Sequence, residues 1–270
     1  MAMRTLGRAP RKKSRLAKGL SLCCIFTLLT TVAFTIWFNM TNGYSAMLQD
    51  EDIGLIQLDE PKSGDPYVIM HTDLGDMKYL LYPEQSPQTV ANFRSLCESG
   101  YYNDTYIFRV EKDIFFSGGA KNEDGSLEDG ALDKPQENVQ RELSPKLWPL
   151  RGALCAMTVR EEKGFWKSLT GTTAYYTGSR FLVCDSIEMT DEIKEGLRSQ
   201  TGDNMAKVAE ALIEKGGIPN YAQQMTVFGQ LVEGFDVLDA ITSIALKGEE
   251  NQTRPEKELK IRSMELGTFG

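Results

Sequence analysis

Residues 105–119, TYIFRVEKDIFFSGG, place one arginine, Arg109, in an apolar stretch that ends in a double glycine. A guanidinium keeps its charge when it is partly dehydrated, so it can donate a hydrogen bond to a substrate inside a pocket. An arginine on a strand is, however, most often a solvated or paired structural residue, because charged side chains are mostly exposed. The residues alone leave both interpretations of Arg109 open.

Other candidate chemical groups give weaker signals. His71 is the single histidine of the chain and has no partner cluster, so we predict neither a catalytic nor a zinc role for it. Asp50-Glu-Asp52 has the Asp-x-Asp spelling that glycosyltransferases use to hold a metal. It lies in an acidic, polar segment, and the chain lacks the βαβ alternation of a nucleotide-binding domain. A solvated acidic cluster is therefore the favoured interpretation.

The elements that must position Arg109 are mostly strands. Two β-rich runs within 67–83 flank Asp73-Leu-Gly-Asp76 and predict a hairpin. Ser86 as N-cap, Pro87 in the first turn and Gly100 at the end predict a helix. Apolar residues three apart predict another helix at 234–244. Further strands are predicted at 105–119, 151–159, 179–184, 225–232 and 258–266, the last with a bulge near Ser263.

The predicted elements are mostly strands, with two amphipathic helices far apart in sequence. This order does not fit the regular alternation of strands and helices that forms a parallel sheet. The pattern favours a mainly β fold, a closed antiparallel barrel with a helix over each end. Residues 186–224 are more than a minimal barrel of this kind needs. Within them we predict an inserted helix, one face of which carries Met205, Val208, Ala209 and Leu212.

The N-terminal region predicts a membrane anchor. Residues 19–38 are uncharged for 20 residues, which at about 1.5 Å per residue matches a hydrocarbon core of about 30 Å. Residues 1–18 carry seven basic and no acidic residues and are expected to stay cytosolic. The alternative is a cleaved signal peptide, although the apolar region is long for one and no convincing cleavage site follows. We expect a single-pass type II protein of the endoplasmic reticulum or Golgi with a lumenal body.

Residues 39–65 are polar and acidic and predict a stem, which leaves 66–268 as the folded domain. Seven of the 30 basic residues precede residue 19, and all 38 acidic residues follow it, so the remainder has a net charge of −15. Such an acidic body argues against binding nucleic acid. A lumenal body would make Asn103 and Asn251 candidate glycosylation sites.

The order of motifs resembles the cyclophilin family of peptidyl-prolyl isomerases. The segments that carry the resemblance are YPEQSPQTVANFRSLCESGYYNDTYIFRV, FFSGG, GSRFLV and TVFGQLVEGFDVLDAI, within residues 66–268. The family implies an eight-stranded antiparallel barrel capped by two helices. It also implies catalysis of X–Pro isomerisation without a cofactor or metal, acting on proline-containing protein segments.

The resemblance assigns Arg109 as the catalytic donor, because the family's Phe-His-Arg-Val corresponds to Ile107-Phe108-Arg109-Val110. It assigns Phe181 and Phe228 to an apolar pocket floor. The remaining substrate-binding positions that it implies are Ile114, Phe115, Ser117, Met157, Thr158, Leu182 and Met225.

Several of these positions depart from the family. Ser117 replaces a glutamine that binds the substrate backbone, Leu182 replaces a phenylalanine, and Met157 narrows the slot for the residue before proline. A lost polar contact costs about 0.5–1.5 kcal/mol, so we expect weak isomerase activity and no tight cyclosporin binding. The alternative is a catalytically silent proline-peptide binding or scaffolding module on the same fold.

The cysteines fit a folded body without a disulfide scaffold. Cys23 and Cys24 lie in the predicted membrane span, which leaves Cys97, Cys155 and Cys184. Their default interpretation is as small buried hydrophobic residues. The family pairs the strands of Cys155 and Cys184, which makes a disulfide between them a hypothesis.

Overall fold

The computed structural model describes residues 48–127, 139–160, 175–248 and 253–270. Within them, eight antiparallel strands close into a barrel in the order β1-β2-β7-β5-β6-β4-β3-β8, with β8 paired to β1. The strands are β1 Pro66–Thr72, β2 Gly75–Leu81, β3 Thr105–Glu111, β4 Phe115–Ala120, β5 Ala153–Arg160, β6 Tyr175–Cys184, β7 Thr226–Glu233 and β8 Lys260–Thr268. The predicted mainly β, closed eight-stranded antiparallel barrel is confirmed.

The described residues also form four α-helices and three short 3₁₀-helices. The α-helices are α1 Pro87–Glu98, α2 Asp191–Arg198, α3 Asp203–Lys215 and α4 Phe235–Thr242. The 3₁₀-helices are Asp50–Asp52, Ile56–Leu58 and Pro219–Tyr221. Helices α1 and α4 match the two predicted capping helices. Helix α1 leads into the start of β3. Helix α4 lies at the other end of that strand, where the amide of Asp113 donates to the carbonyl of Thr242 at 3.1 Å.

The N-terminus of α1 differs from the prediction. The Ser86 side chain caps no helix amide and instead donates to the carbonyl of Tyr82 at 3.2 Å. The Glu142 carboxylate accepts from the amides of Gln88 and Thr89, at 3.1 and 2.8 Å. A negative charge is favourable at this end of a helix. The helix is thus capped from a loop more than 50 residues away, which local spacing could not reveal.

The barrel interior is filled by side chains. Phe116, Phe181 and Phe228 are almost completely buried and pack with residues of both capping helices, including Phe93 and Leu238. The double glycine of β4 makes this packing fit, because a Cβ at Gly118 would lie 3.2 Å from the Phe181 ring. Because the interior has this packing, a binding site must lie on the outside of the barrel or at its rim.

The predicted bulge near Ser263 is confirmed. His71 pairs with Ser263, but the next residue, Thr72, pairs with Ile261, so Arg262 is the extra residue of β8. An extra residue reverses the facing of the following side chains. This extra residue explains why the alternation of apolar residues in 258–266 shifts by one position after Ile261.

The predicted insertion and stem pack together. Residues 186–224 form two helices, α2 and α3, rather than the single helix expected. Val208, Ala209 and Leu212 of α3 are buried, as their shared face predicted, and Val208 and Leu212 share a cluster with Ile53 and Trp148. Residues 48–65, which we predicted to be part of a stem, belong to the same compact unit as the barrel.

Two contacts hold this N-terminal segment in place. The amides of Asn204 and Met205, at the start of α3, donate to the Asp50 carboxylate at 3.0–3.1 Å and lower its pKa. The buried Gln57 side chain donates to the carbonyl of Trp148 at 2.9 Å and accepts from the Trp148 amide at 2.5 Å. The segment therefore forms part of the folded unit.

Among the helices of the described part of the chain, none has the length and apolar character needed to cross a bilayer. The predicted span 19–38 and the basic tail 1–18 lie outside the described residues.

A substitution at Gln57 tests the docking of this segment. We expect Gln57→Ala to lower the free energy of unfolding by about 1–3 kcal/mol, because it removes the acceptor of the buried Trp148 amide. Urea denaturation of the variant and of an exposed control, Glu51→Ala, measures the difference. Equal midpoints for the two variants would show that the segment is not part of the cooperative fold.

Candidate active site

Arg109 lies on the outer face of the barrel. The register of β3 with β4 shifts between Ile107 and Arg109, where a bulge breaks the regular alternation. The Arg109 side chain is 46% exposed, and its Nη2 donates to Glu111 Oε1 at 2.6 Å. Its guanidinium carbon lies 5.3 Å from the centre of the Phe115 ring, a cation–π distance. The cation is thus held at the surface between a carboxylate and an aromatic face.

An apolar patch adjoins this cation. Its members belong to one cluster on the outer face, separate from the interior cluster. We call it the outer apolar patch, and it consists of Ile114, Phe115, Met157, Leu182, Tyr221 and Met225. Phe115 and Leu182 are buried at 5% and 4% exposure, whereas the other four are partly exposed. The structure therefore brings together five of the predicted substrate-binding residues and adds Tyr221.

The assignment of Phe181 and Phe228 to the pocket floor is wrong. Both side chains lie inside the barrel, at 1% and 2% exposure, and belong to the interior cluster. Their ring centres lie 6.4 and 5.1 Å from that of Phe93 on α1. Successive side chains of a strand point to opposite faces, so Leu182 on the outer face requires Phe181 to point inward. These two phenylalanines support the site from behind.

Ser117 and Thr158 are the two predicted substrate-binding residues that carry a hydroxyl group. Ser117 pairs with Arg109 on one side and with Leu182 on the other. It is 1% exposed, and its hydroxyl has no hydrogen-bond partner among the described residues. The Thr158 hydroxyl is likewise buried and unpartnered within that part of the chain. Neither hydroxyl projects as far as the glutamine that the family resemblance placed at Ser117.

Two further departures from the family motif have a structural role. Phe108, in place of a histidine, packs against Gly125, where a Cβ would come within 2.5 Å of its ring. Arg180, in place of a glutamine, donates from Nη1 to the carbonyl of Gly125 at 3.0 Å. Both side chains therefore hold the loop that follows β4.

Tyr221 and Glu111 are site residues that the sequence analysis missed. The Tyr221 ring centre lies 6.2 Å from that of Phe115. Burial raises the pKa of Tyr221, and the nearby positive charge of Arg109 partly offsets that effect. Tyr221 ends a 3₁₀-helix in a segment that we assigned to the insertion, and no local pattern indicated its role. Glu111 could have been found, because residues two apart on a strand share a face.

Cys155 and Cys184 lie behind the outer apolar patch as free thiols, so the structure does not contain the disulfide that the family resemblance suggested. Their sulfur atoms are 3.8 Å apart. The neighbouring Cys155 thiol and burial raise the pKa of Cys184, and burial raises the pKa of Cys97 to about 12. All three behave as small buried side chains, in agreement with their default interpretation.

Comparison with known proteins identifies the family. The family model for "Cyclophilin type peptidyl-prolyl cis-trans isomerase/CLD" matches residues 67–266, which include the site and all of the barrel except the first residue of β1 and the last two of β8. The chain belongs to the cyclophilin family. It is 31% identical over 201 residues to a protein of Staphylococcus saprophyticus named as a peptidyl-prolyl cis-trans isomerase, covering 74% of this chain and 90% of that protein.

A longer relative is similar to this chain in sequence, and a solved structure is similar to it in fold. The chain is 29% identical over 221 residues to a protein of Streptococcus pyogenes named as a bifunctional phosphatase/peptidyl-prolyl cis-trans isomerase, covering 81% of this chain but 42% of that one. A cyclophilin-type isomerase of Cryptosporidium parvum, crystallised in the presence of the dipeptide Ala-Pro, matches with a TM-score of 0.52 and 20% identity. The match covers 75% of this chain and 99% of that chain, which supports the cyclophilin fold.

Alkylation tests whether Cys155 and Cys184 of this cyclophilin are free thiols or form a disulfide. We expect alkylation of the unfolded chain without reductant to modify both Cys155 and Cys184, and mass spectrometry of the peptides measures it. In the folded protein both should react slowly because both are buried, and the raised pKa of Cys184 leaves that thiol with little thiolate. Recovery of a linked Cys155–Cys184 peptide would contradict the structure.

Proposed function

We propose that this cyclophilin accelerates cis–trans isomerisation of X–Pro bonds in protein segments. The observation that carries the proposal is the placement of the Arg109 guanidinium at the edge of the outer apolar patch. The names of its relatives support the same activity. The reaction takes place at the barrel surface, where an extended segment of another protein can reach.

The chemistry requires little from the protein. Rotation about an amide bond costs about 18–20 kcal/mol because the C–N bond is partly double. In the twisted state the proline nitrogen regains its lone pair, and a hydrogen bond donated to it is stronger there than in either planar state. A donor that binds the twisted state more tightly lowers the barrier. Arg109 can act as this donor without a nucleophile, metal or cofactor.

The outer apolar patch binds the proline ring. Phe115 and Leu182 form its buried part, and Met225 and Tyr221 are partly exposed members. By the family resemblance, the partly exposed Met157 would narrow the slot for the residue before proline, and the buried Ser117 hydroxyl cannot replace a longer side chain in binding the substrate backbone. We infer weak isomerase activity and no tight cyclosporin binding from these differences.

Removal of the Arg109 side chain tests the assignment. We expect Arg109→Ala to lower kcat/KM for an Ala-Pro tetrapeptide by about 100-fold or more, the effect typical of losing a donor to the transition state. A protease-coupled assay of the wild-type and variant proteins measures the change. Because Arg109 is half exposed, the variant should fold normally.

Arg94→Ala is the matched control, since Arg94 is an exposed arginine on α1 and not a member of the site. It should retain wild-type activity. A domain that binds the peptide without accelerating isomerisation would instead support the catalytically silent binding module on the same fold. Activity that survives Arg109→Ala would contradict the assignment of Arg109 as the donor.

We also propose that residues 19–38 anchor the protein in a membrane of the endoplasmic reticulum or Golgi, with the domain on the lumenal side. The length of the uncharged segment and the basic residues before it support this arrangement. Asn103 is exposed and can accept a glycan there, and Asn251, outside the described residues, is a second candidate.

Expression in mammalian cells tests this topology. We expect the full chain to remain in the membrane pellet after carbonate extraction and to lose mass on glycosidase treatment. Asn103→Gln should reduce that mass difference if Asn103 is used. Release by carbonate, or cleavage of the chain after residue 38, would favour the signal-peptide alternative.

A further inference from the structure

The carboxylate beside Arg109 has no role in the mechanism described so far. Glu111 Oε1 lies 2.6 Å from Arg109 Nη2, a short charge-assisted hydrogen bond. The Glu111 side chain is 32% exposed, so the pair lies at the surface of the site.

The strand register places Glu111 at the site. Arg109 and Glu111 are two apart on β3, with the buried Val110 between them pointing into the barrel. Glu111 also pairs with Phe115 of β4, whose ring lies beside the guanidinium. Both charges act on Tyr221, whose pKa the Arg109 cation lowers and the Glu111 carboxylate raises. Glu111 of β3 and Phe115 of β4 therefore hold the Arg109 side chain from two neighbouring strands, and the Tyr221 ring lies next to that of Phe115.

We propose that Glu111 is a positioning residue for Arg109, an inference that rests on the proposed isomerase function. An arginine side chain on an exposed strand has several rotatable bonds and loses conformational freedom whenever it must adopt one geometry. The bond to Glu111 occupies one of the five guanidinium N–H groups and leaves the others available to a substrate. With the Phe115 ring beside it, the guanidinium is held near its working position before the substrate arrives.

A merely structural ion pair would behave differently. Exposed ion pairs contribute little to stability, so removal of Glu111 should leave the fold intact. Loss of positioning instead affects the transition state, because the donor must then be ordered during the reaction. The two roles can be distinguished by measuring how the loss of Glu111 changes kcat, KM and the free energy of unfolding.

The test is a double-mutant cycle on the full chain with an Ala-Pro tetrapeptide, followed by NMR exchange between the cis and trans peptide signals. We expect Glu111→Ala to lower kcat about ten-fold with KM changed less than two-fold, since small misplacement of a catalytic group has effects of this order. In the Arg109→Ala background, Glu111→Ala should cause no further loss. Glu111→Asp should recover part of the activity, because it restores a carboxylate.

Glu233→Ala is the matched control. Glu233 also forms an exposed ion pair at the barrel surface, with Lys78 at 3.3 Å, and it is not a member of the site. It should leave kcat unchanged. An unchanged or higher kcat for Glu111→Ala, or losses that multiply in the double variant, would overturn the positioning role.

A second readout does not depend on activity. The Nε–H signal of Arg109 should show restricted motion in the wild-type protein and free motion in Glu111→Ala. If the wild-type protein lacks isomerase activity but this change is seen, the proposed function fails while the positioning of Arg109 stands. If the Arg109 signal is equally mobile in both proteins, the positioning role fails whatever the activity.

Discussion

The packing of the barrel interior constrains everything else in this protein. Eight strands enclose a space that their own side chains and those of α1 and α4 fill, with the Phe93 ring packed against the rings of Phe181 and Phe228. Because these side chains fill the interior, the barrel leaves no room there for a substrate. Chemistry must then occur on the outer face, where a strand can present only every second side chain. Arg109 and Glu111 are two such side chains, and Phe115 and Leu182 are others on neighbouring strands.

A site on the outside of a rigid barrel suits a reaction that depends on precisely placed side chains more than on a chemically reactive group. Amide rotation requires an apolar surface for the proline ring and one well-placed donor, and strands hold both more precisely than loops can. The interior phenylalanines contribute by fixing the strands from behind. The segment around Asp50 and Gln57 adds a second packed layer with α3, so the domain begins earlier in the chain than its sequence indicates.

Much of this could be predicted from the sequence, and the exceptions have physical causes. The hairpin, the two capping helices and the bulge near Ser263 leave local signals, because turn residues and apolar periodicity are local properties. The placement of Phe181 and Phe228 was wrong, because a motif gives residue types while the strand register decides which face each side chain occupies. The cap of α1 by Glu142 and the burial of Gln57 depend on contacts between distant residues. Tyr221 joins the site for the same reason.

The proposed function requires the proline ring of a substrate to lie on the outer face of the barrel beside Arg109. Intermolecular NOEs between an Ala-Pro peptide and the methyl-labelled domain test it most directly. We expect NOEs from the proline ring protons to Leu182 and Met225, and none to methyl groups of the interior cluster or of α3. NOEs confined to another surface, or their absence at Leu182 while the peptide is bound, would contradict it.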